Sequence, residues 1–208
     1  ETHIFDTQSL EPETIDFRYA PFFEQATQTQ LRGEATPIYL FLPDVLKALS
    51  EYNQSLKIIV LLRDPIDRAI SHYEMARDRG EELLPLWRAL LAESGRLKGD
   101  KTPLAEGSVT RNQSYRSRGY YSRQLACLYR YFNREQVLIL PTSQLMSQHQ
   151  KTVASVFTFL GVDPSCEVRP EIIFSNSSPK KKYHISRFIL KLCYLVEYNR
   201  MRRYIEAF

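Results

Sequence analysis

An α/β fold with a central parallel sheet flanked by helices is the architecture this chain predicts, and three observations predict it. Ile58 to Leu62 is an unbroken apolar run rich in β-branched residues, the pattern of a strand covered on both faces. A helix with its own start signal follows at once: Asp64 can cap it, and Pro65 occupies the first helical position, which needs no N–H. A second apolar strand, Gln136–Leu140, is again followed by a helix, Gln150–Leu160, stopped by Gly161. Strand and helix alternating on this scale argue for parallel pairing.

The remaining elements follow from local pattern. Glu1 to Asp6 reads as extended, and strand alternation would put Glu1 and His3 on one side. Pro37–Leu42 reads as a short extended piece leading into a helix over Pro43–Tyr52. The strand spans Leu56–Leu62. In the helix Pro65–Arg79, Ile66, Ala69, Ile70 and Tyr73 recur at i, i+3, i+4 and i+7 and so face the sheet, leaving Arg68 and Ser71 on the other side. Leu84–Arg96 is helical with a mixed face. Gly95–Asn112 is polar and turn-rich, a mobile loop. One long helix is expected over Tyr115–Tyr131. Ile185–Phe208 places Phe188, Ile189, Leu192, Leu195 and Val196 at helical spacings beside Arg187, Lys191, Arg200, Arg202 and Arg203. It reads as an amphipathic helix that packs on the domain, with docking to a membrane surface or a partner as the sharper alternative.

Composition bounds the class. At 208 residues and 43% hydrophobic content the chain can bury one sizeable core, so residues 1–208 read as a single domain. No run approaches the length of a transmembrane helix. The net charge of +4 suits an anionic ligand without demanding one. Cys127, Cys166 and Cys193 show neither pairing nor metal-type spacing, which points to reduced thiols in a cytoplasm. Against that, Asn53-Gln54-Ser55, Asn112-Gln113-Ser114 and Asn176-Ser177-Ser178 each match the N-glycosylation acceptor, so a secretory-pathway location stays open. Lys180, Lys181 and Lys182 form the most basic stretch. No nucleic-acid recognition module accompanies them, so nucleic acid is not expected as a partner.

The chemistry concentrates in Lys57–Tyr73, KIIVLLRDPIDRAISHY. Arg63 stands at the carboxyl end of the strand, where open α/β sheets bind ligands. A phosphate there could take a forked pair of bonds from Arg63 and one from the Ser71 hydroxyl, each charge-assisted bond contributing about 1.5–3 kcal/mol. The bland alternative pairs Arg63 with Asp64 or Asp67 and leaves Ser71 solvated.

RDPIDRAISHY resembles the 3′-phosphate-binding motif of sulfotransferases that use 3′-phosphoadenosine 5′-phosphosulfate (PAPS). Three further segments fit that family in order: GEATPIYL (Gly33–Leu40), SYRSRGYYSRQL (Ser114–Leu125) and VLILPTSQLMSQHQKTVASVFTFLGVD (Val137–Asp163). The similarity is strongest toward the bacterial and heparan-sulfate-type branch, and it implies a P-loop-NTPase-like sulfotransferase fold. It also implies that Arg63 and Ser71 hold the 3′-phosphate and that a basic loop, here Lys180–Lys182, closes over the cofactor, against the bland reading of a solvated loop. Arg118 with Tyr115 could reach the cofactor or an anionic acceptor, against helix-surface charge and core tyrosines. The opening ETHIFD resembles the family's Glu-x-x-x-Phe-Phe-Asp segment. There Glu1 would be the general base and His3 its assistant, with Thr36 at the acceptor and Asp6 orienting either Glu1 or a substrate amine, or capping the next turn. Ala35 departs from the lysine that many relatives carry in the Gly-Glu-x-Thr-Pro segment. The family's first strand and its lysine- and Gly-Thr-bearing loop for the 5′-phosphosulfate are absent from these 208 residues, so a longer natural protein is expected.

The resemblance thus implies sulfuryl transfer from PAPS to a hydroxyl or amine on a glycan, lipid or small metabolite, with adenosine 3′,5′-bisphosphate as product and no metal. Two rivals stay open. One is a P-loop phosphotransferase, disfavoured because no G-x-x-x-x-G-K-[ST] run is present. The other is a non-catalytic anion- or partner-binding domain.

Overall fold

The structure is a computed structural model and describes residues 1–7, 12–171 and 183–205. Lys180, Lys181 and Lys182 lie outside the described residues. The elements run α1 (Pro12–Phe23), a 3-10 helix (Pro37–Phe41), α2 (Pro43–Tyr52), β1 (Ile58–Leu62), α3 (Pro65–Asp78), α4 (Leu86–Gly99), α5 (Val109–Asn112), a 3-10 turn (Ser117–Gly119) and α6 (Tyr121–Leu128). A further 3-10 turn (Arg134–Gln136), β2 (Val137–Pro141), α7 (Thr142–Ser147), α8 (His149–Leu160) and α9 (His184–Ile205) complete the order.

β1 and β2 pair in parallel, Ile58 against Val137 through Leu62 against Pro141. Among the described residues the sheet has these two strands. Val60, Leu62, Val137 and Ile139 point into a core completed by Val45, Leu46 and Leu49 of α2, Leu125 and Leu128 of α6, and Ile4 and Phe5 of the N-terminal segment. Both-sided burial of β1 does not hold: Ile59 and Leu61, on the opposite face, are 40% and 48% exposed.

The β1–α3 junction forms as its local signals dictate. The Asp64 carboxylate accepts the N–H groups of Ile66 and Asp67, both at 3.0 Å, and Pro65 follows as the first helical residue. Ile66, Ala69, Ile70 and Tyr73 are buried and meet Leu86, Ala89 and Leu90 of α4 and Leu190 and Tyr194 of α9 in a second core. α9 is strapped across these elements. Tyr198 donates to Asp64 at 2.7 Å, Arg187 pairs with Asp67 at 2.8 Å, and the buried Glu197 accepts the Ser122 N–H and hydroxyl at the start of α6. A carboxylate at a helix N-terminus also meets the positive end of the helix dipole. Gly161 ends α8 in the left-handed conformation, φ 80°.

Four further expectations need correction. Pro37–Leu42 is not extended but a 3-10 helix, started by Pro37 and closed by N–H donation from Tyr39 to the Thr36 carbonyl and from Leu42 to the Tyr39 carbonyl. The single helix expected over Tyr115–Tyr131 is broken. The fully buried Glu93 takes the N–H groups of both Arg116 and Ser117 at 2.7 Å, competing with a helical ladder, and Tyr120 adopts φ −82°, ψ 67°. The N-terminal segment does not run straight, because His3 sits at φ 50°. The loop after α4 is shorter than expected, since α4 continues to Gly99 and Asp100 ties the loop ends together by accepting from Thr102 and Thr110.

Gly119 lies against Tyr194, and a β-carbon there would overlap the phenol oxygen and ring carbons. Tyr194 is fully buried and donates to the Arg116 carbonyl at 2.8 Å. Gly119→Ala should therefore lower stability by about 1–3 kcal/mol in urea unfolding, as overpacking does. Phe in place of Tyr194 should not rescue it, because ring carbons clash as well; a neutral Gly119→Ala would contradict this packing.

Candidate active site

The N-terminal segment is held by its neighbours rather than by regular structure. Ile4 and Phe5 are sealed in the core, and the Phe5 N–H donates to the Tyr39 hydroxyl at 3.0 Å. Phe5 packs edge-on against Tyr39 and Tyr52. Arg18, from α1, donates to the carbonyls of His3 and Ile4 and to the Thr7 hydroxyl. Glu34 accepts from Thr2, Thr36 and Tyr19, tying the segment to the Gly-Glu-Ala-Thr-Pro stretch. These contacts hold His3 in the left-handed region, which costs a non-glycine residue about 1–2 kcal/mol and which His tolerates better than most.

Around His3 the charges are ordered. Nε2 lies 3.0 Å from Glu1 Oε2, and Nδ1 lies 2.8 Å from Asp6 Oδ2. Arg111 Nη1 is 2.9 Å from the same Asp6 oxygen and 3.3 Å from His3 Nδ1. An ionised carboxylate can only accept, so the 2.8 Å Nδ1 contact is a donation from His3 to Asp6, and the longer Arg111 contact is then a close approach of two donors rather than a hydrogen bond. With Nδ1–H committed, the Nε2–Glu1 contact requires one proton shared between imidazole and carboxylate. Arg111 also donates to the Asp6 and Leu104 carbonyls, joining the N-terminal segment to the loop after α4.

A second set of cations adjoins this one. Arg118 donates from Nε to Ser114 Oγ at 2.8 Å and from Nη2 to the Thr110 and Arg111 carbonyls, and its guanidinium lies 5.5 Å from the Phe41 ring centre. Burial, then the neighbouring Arg68 and Arg111 charges, lower its pKa to about 9, so it stays charged at neutral pH. Arg68 donates to the Tyr115 carbonyl, and its Nε is buried without a partner. His72 is buried edge-on to Tyr115, and burial followed by the Arg118 and Arg68 charges depresses it to about 2, leaving it neutral. Three guanidinium groups thus crowd a region whose nearby carboxylates are few, a field suited to an anion.

Arg63 is exposed and has no hydrogen-bond or ion-pair partner among the described residues. The bland alternative fails on this point, because Asp64 is taken by the α3 cap and Tyr198, and Asp67 by Arg187. Ser71 is half-buried, and its hydroxyl has no partner among the described residues. An open cavity of about 430 Å³, lined by Phe41, Pro43, Asp44, Lys101, Leu104 and Thr110, lies beside the Arg111–Arg118 cluster. It shares Phe41, Leu104 and Thr110 with the contacts of that cluster.

Several expected roles change. Tyr115 does not face a cofactor: it is fully buried and its hydroxyl donates to Glu82 at 3.1 Å. Asp6, 0% exposed, cannot touch a substrate and instead orients His3. Thr36 is buried with its hydroxyl spent on Glu34. Arg118 spends Nε and Nη2 on the chain itself, leaving Nη1 for a ligand. Glu1 and His3 are brought together as expected, by a bent rather than an extended backbone. The sequence reading missed Arg18, Arg68, His72 and Arg111, whose partners mostly lie far away along the chain.

Comparison with known proteins decides the family. The family described as Sulfotransferase domain matches residues 13–184. The chain belongs to the sulfotransferase domain family. A sulfotransferase from Alicyclobacillus acidocaldarius superposes with a TM-score of 0.76 at 23% identity over 99% of this chain and 83% of that one, which shows the shared α/β fold. Human heparan sulfate glucosamine 3-O-sulfotransferase 6 is 28% identical over 171 residues, 78% of this chain and 43% of the relative. Mouse heparan sulfate glucosamine 3-O-sulfotransferase 5 is 23% identical over 166 residues, covering 79% and 45%. The membrane-associated sulfotransferase kil1 of Dictyostelium discoideum is 41% identical over 61 residues, covering 28% and 13%. The chain spans less than half the length of these curated relatives. Glu1, His3 and Asp6 precede the segment that the family matches.

The buried neutral His72 has a consequence for stability. Its pKa is about 2 folded against 6.5 unfolded, so below pH 6.5 the unfolded chain takes up a proton that the fold refuses. Stability from this group is complete above that pH and falls with acidification by up to about 1.4 kcal/mol per pH unit. Urea unfolding between neutral and mildly acidic pH should show this slope in the wild type and a shallower one in His72→Asn; identical slopes would contradict the buried neutral ring.

Proposed function

We propose that this sulfotransferase-family chain moves a sulfuryl group from PAPS to a hydroxyl or amine of a glycan, lipid or small-metabolite acceptor. The observation that carries the reading is Arg63: a guanidinium at the carboxyl end of β1, exposed, with both neighbouring aspartates spent elsewhere. Arg63 and Ser71 would hold the donor's 3′-phosphate, and the Arg68–Arg118 field favours an anionic donor without a metal. Among the described residues no cluster of three or more His, Cys, Asp or Glu could hold a metal ion.

In the transfer, the acceptor oxygen or nitrogen attacks sulfur as the bond from sulfur to the phosphate oxygen breaks. The bisphosphate leaves with that electron pair, and the acceptor proton passes to Glu1. His3, anchored at Nδ1 by Asp6, holds Glu1 from Nε2 and shares its proton. Arg18 and Arg111 act as positioning residues for this pair. The cavity beside Lys101 and Asp44 is the acceptor pocket, and the names of the heparan sulfate relatives support a hydroxyl of an amino-sugar glycan as acceptor.

Calorimetry with adenosine 3′,5′-bisphosphate tests the donor site. Arg63→Ala should weaken binding by at least roughly tenfold, since even one charge-assisted bond of the lost fork is worth about 1.5–3 kcal/mol. Glu1→Gln should leave binding intact and abolish transfer of labelled sulfate to heparan-type glycans. Tight binding indifferent to Arg63→Ala would refute the phosphate corner, and full turnover in Glu1→Gln would remove Glu1 from the mechanism.

A further inference from the structure

α9 is apolar on two opposite sides. One side, Leu190, Tyr194 and Met201, is buried against the domain. On the other, Ile185, Phe188, Leu192, Leu195 and Val196 are each 57–68% exposed. At about 100° per residue these five fall within an arc of roughly 100° and run about 17 Å along the helix. A soluble helix buries one stripe; this one carries a second stripe that nothing in the described fold covers. The stripe begins as the family match ends, at His184, so it is no part of the matched segment.

The charges beside the stripe have one sign. Lys191, Arg200, Arg202 and Arg203 are exposed, and the one acidic residue within His184–Ile205, Glu197, is buried on Ser122. Arg187 is the exception, already paired with Asp67. A second copy docking by two-fold symmetry would bring these cations against one another, so the charge pattern disfavours self-association. An apolar strip edged by cations matches the boundary of a bilayer with anionic headgroups, where the side chains enter the acyl region and the cations meet phosphates. No helix among the described residues is long and apolar enough to cross a membrane, so the contact would lie in the plane of the surface.

We infer that the outer face of α9 seats this protein on an anionic lipid surface. The inference is independent of the sulfuryl-transfer reading. Vesicle co-sedimentation of the whole protein tests it, with phosphatidylcholine vesicles alone or mixed with phosphatidylserine. Binding should require phosphatidylserine and weaken with added salt. Lys191→Glu with Arg200→Glu should weaken it at least about tenfold, and so should Phe188→Ser with Leu195→Ser. All four positions are exposed, so circular dichroism should show an unchanged fold. No partition into phosphatidylserine vesicles, equal partition into phosphatidylcholine alone, or indifference to both double variants would overturn the inference. So would a dimer in light scattering that the apolar double variant dissolves.

Discussion

Asp6 is a carboxylate with no exposed surface, and the candidate site depends on the two cationic or proton-donating groups that face it, Arg111 and His3. Removing a carboxylate from water costs several kcal/mol unless it is paired and hydrogen-bonded, and losing one partner of such a pair typically costs 3–5 kcal/mol. Asp6 therefore holds Arg111 and His3 in place as firmly as they hold it. Through Arg111 the constraint reaches the loop after α4 at Leu104, and through His3 it reaches Glu1. One buried charge thus couples a bent N-terminal segment, a loop beside the cavity and the proposed base.

The same economy appears on the cationic side. Arg68, Arg111 and Arg118 spend many donors on backbone carbonyls, which fixes the main chain around the cleft and leaves their charges in place. Their field is only partly neutralised within the fold. Placing guanidinium groups close together destabilises an empty site and favours an anionic occupant. That is the electrostatic logic of a site built to receive an anion.

Much of the β1–α3 junction was legible in the sequence because its signals are local. The strand, the Asp64 cap, Pro65 and the four-residue spacing of α3 lie within one short stretch and agree with one another. The clamp was not legible, since Arg111 and Asp6 are 105 residues apart and an arginine in a polar loop carries no pattern that names its partner. The broken helix after Tyr115 was hidden for a related reason: the competing acceptor, Glu93, comes from another helix. Tyr115 misled because a tyrosine in a motif reads alike whether it meets a ligand or a core carboxylate. Asp6 was located by its spacing, but spacing does not report that its side chain is sealed.

The tautomer of His3 bears most directly on this account, because the whole clamp acts by committing one ring nitrogen. ¹⁵N NMR of the imidazole in the wild type and in Asp6→Asn reads it without any acceptor. The account predicts a proton on Nδ1 in the wild type, and a shift of the ring nitrogens when Asp6 loses its charge. An unprotonated Nδ1 accepting from Arg111, or ring shifts that ignore the Asp6 substitution, would contradict it.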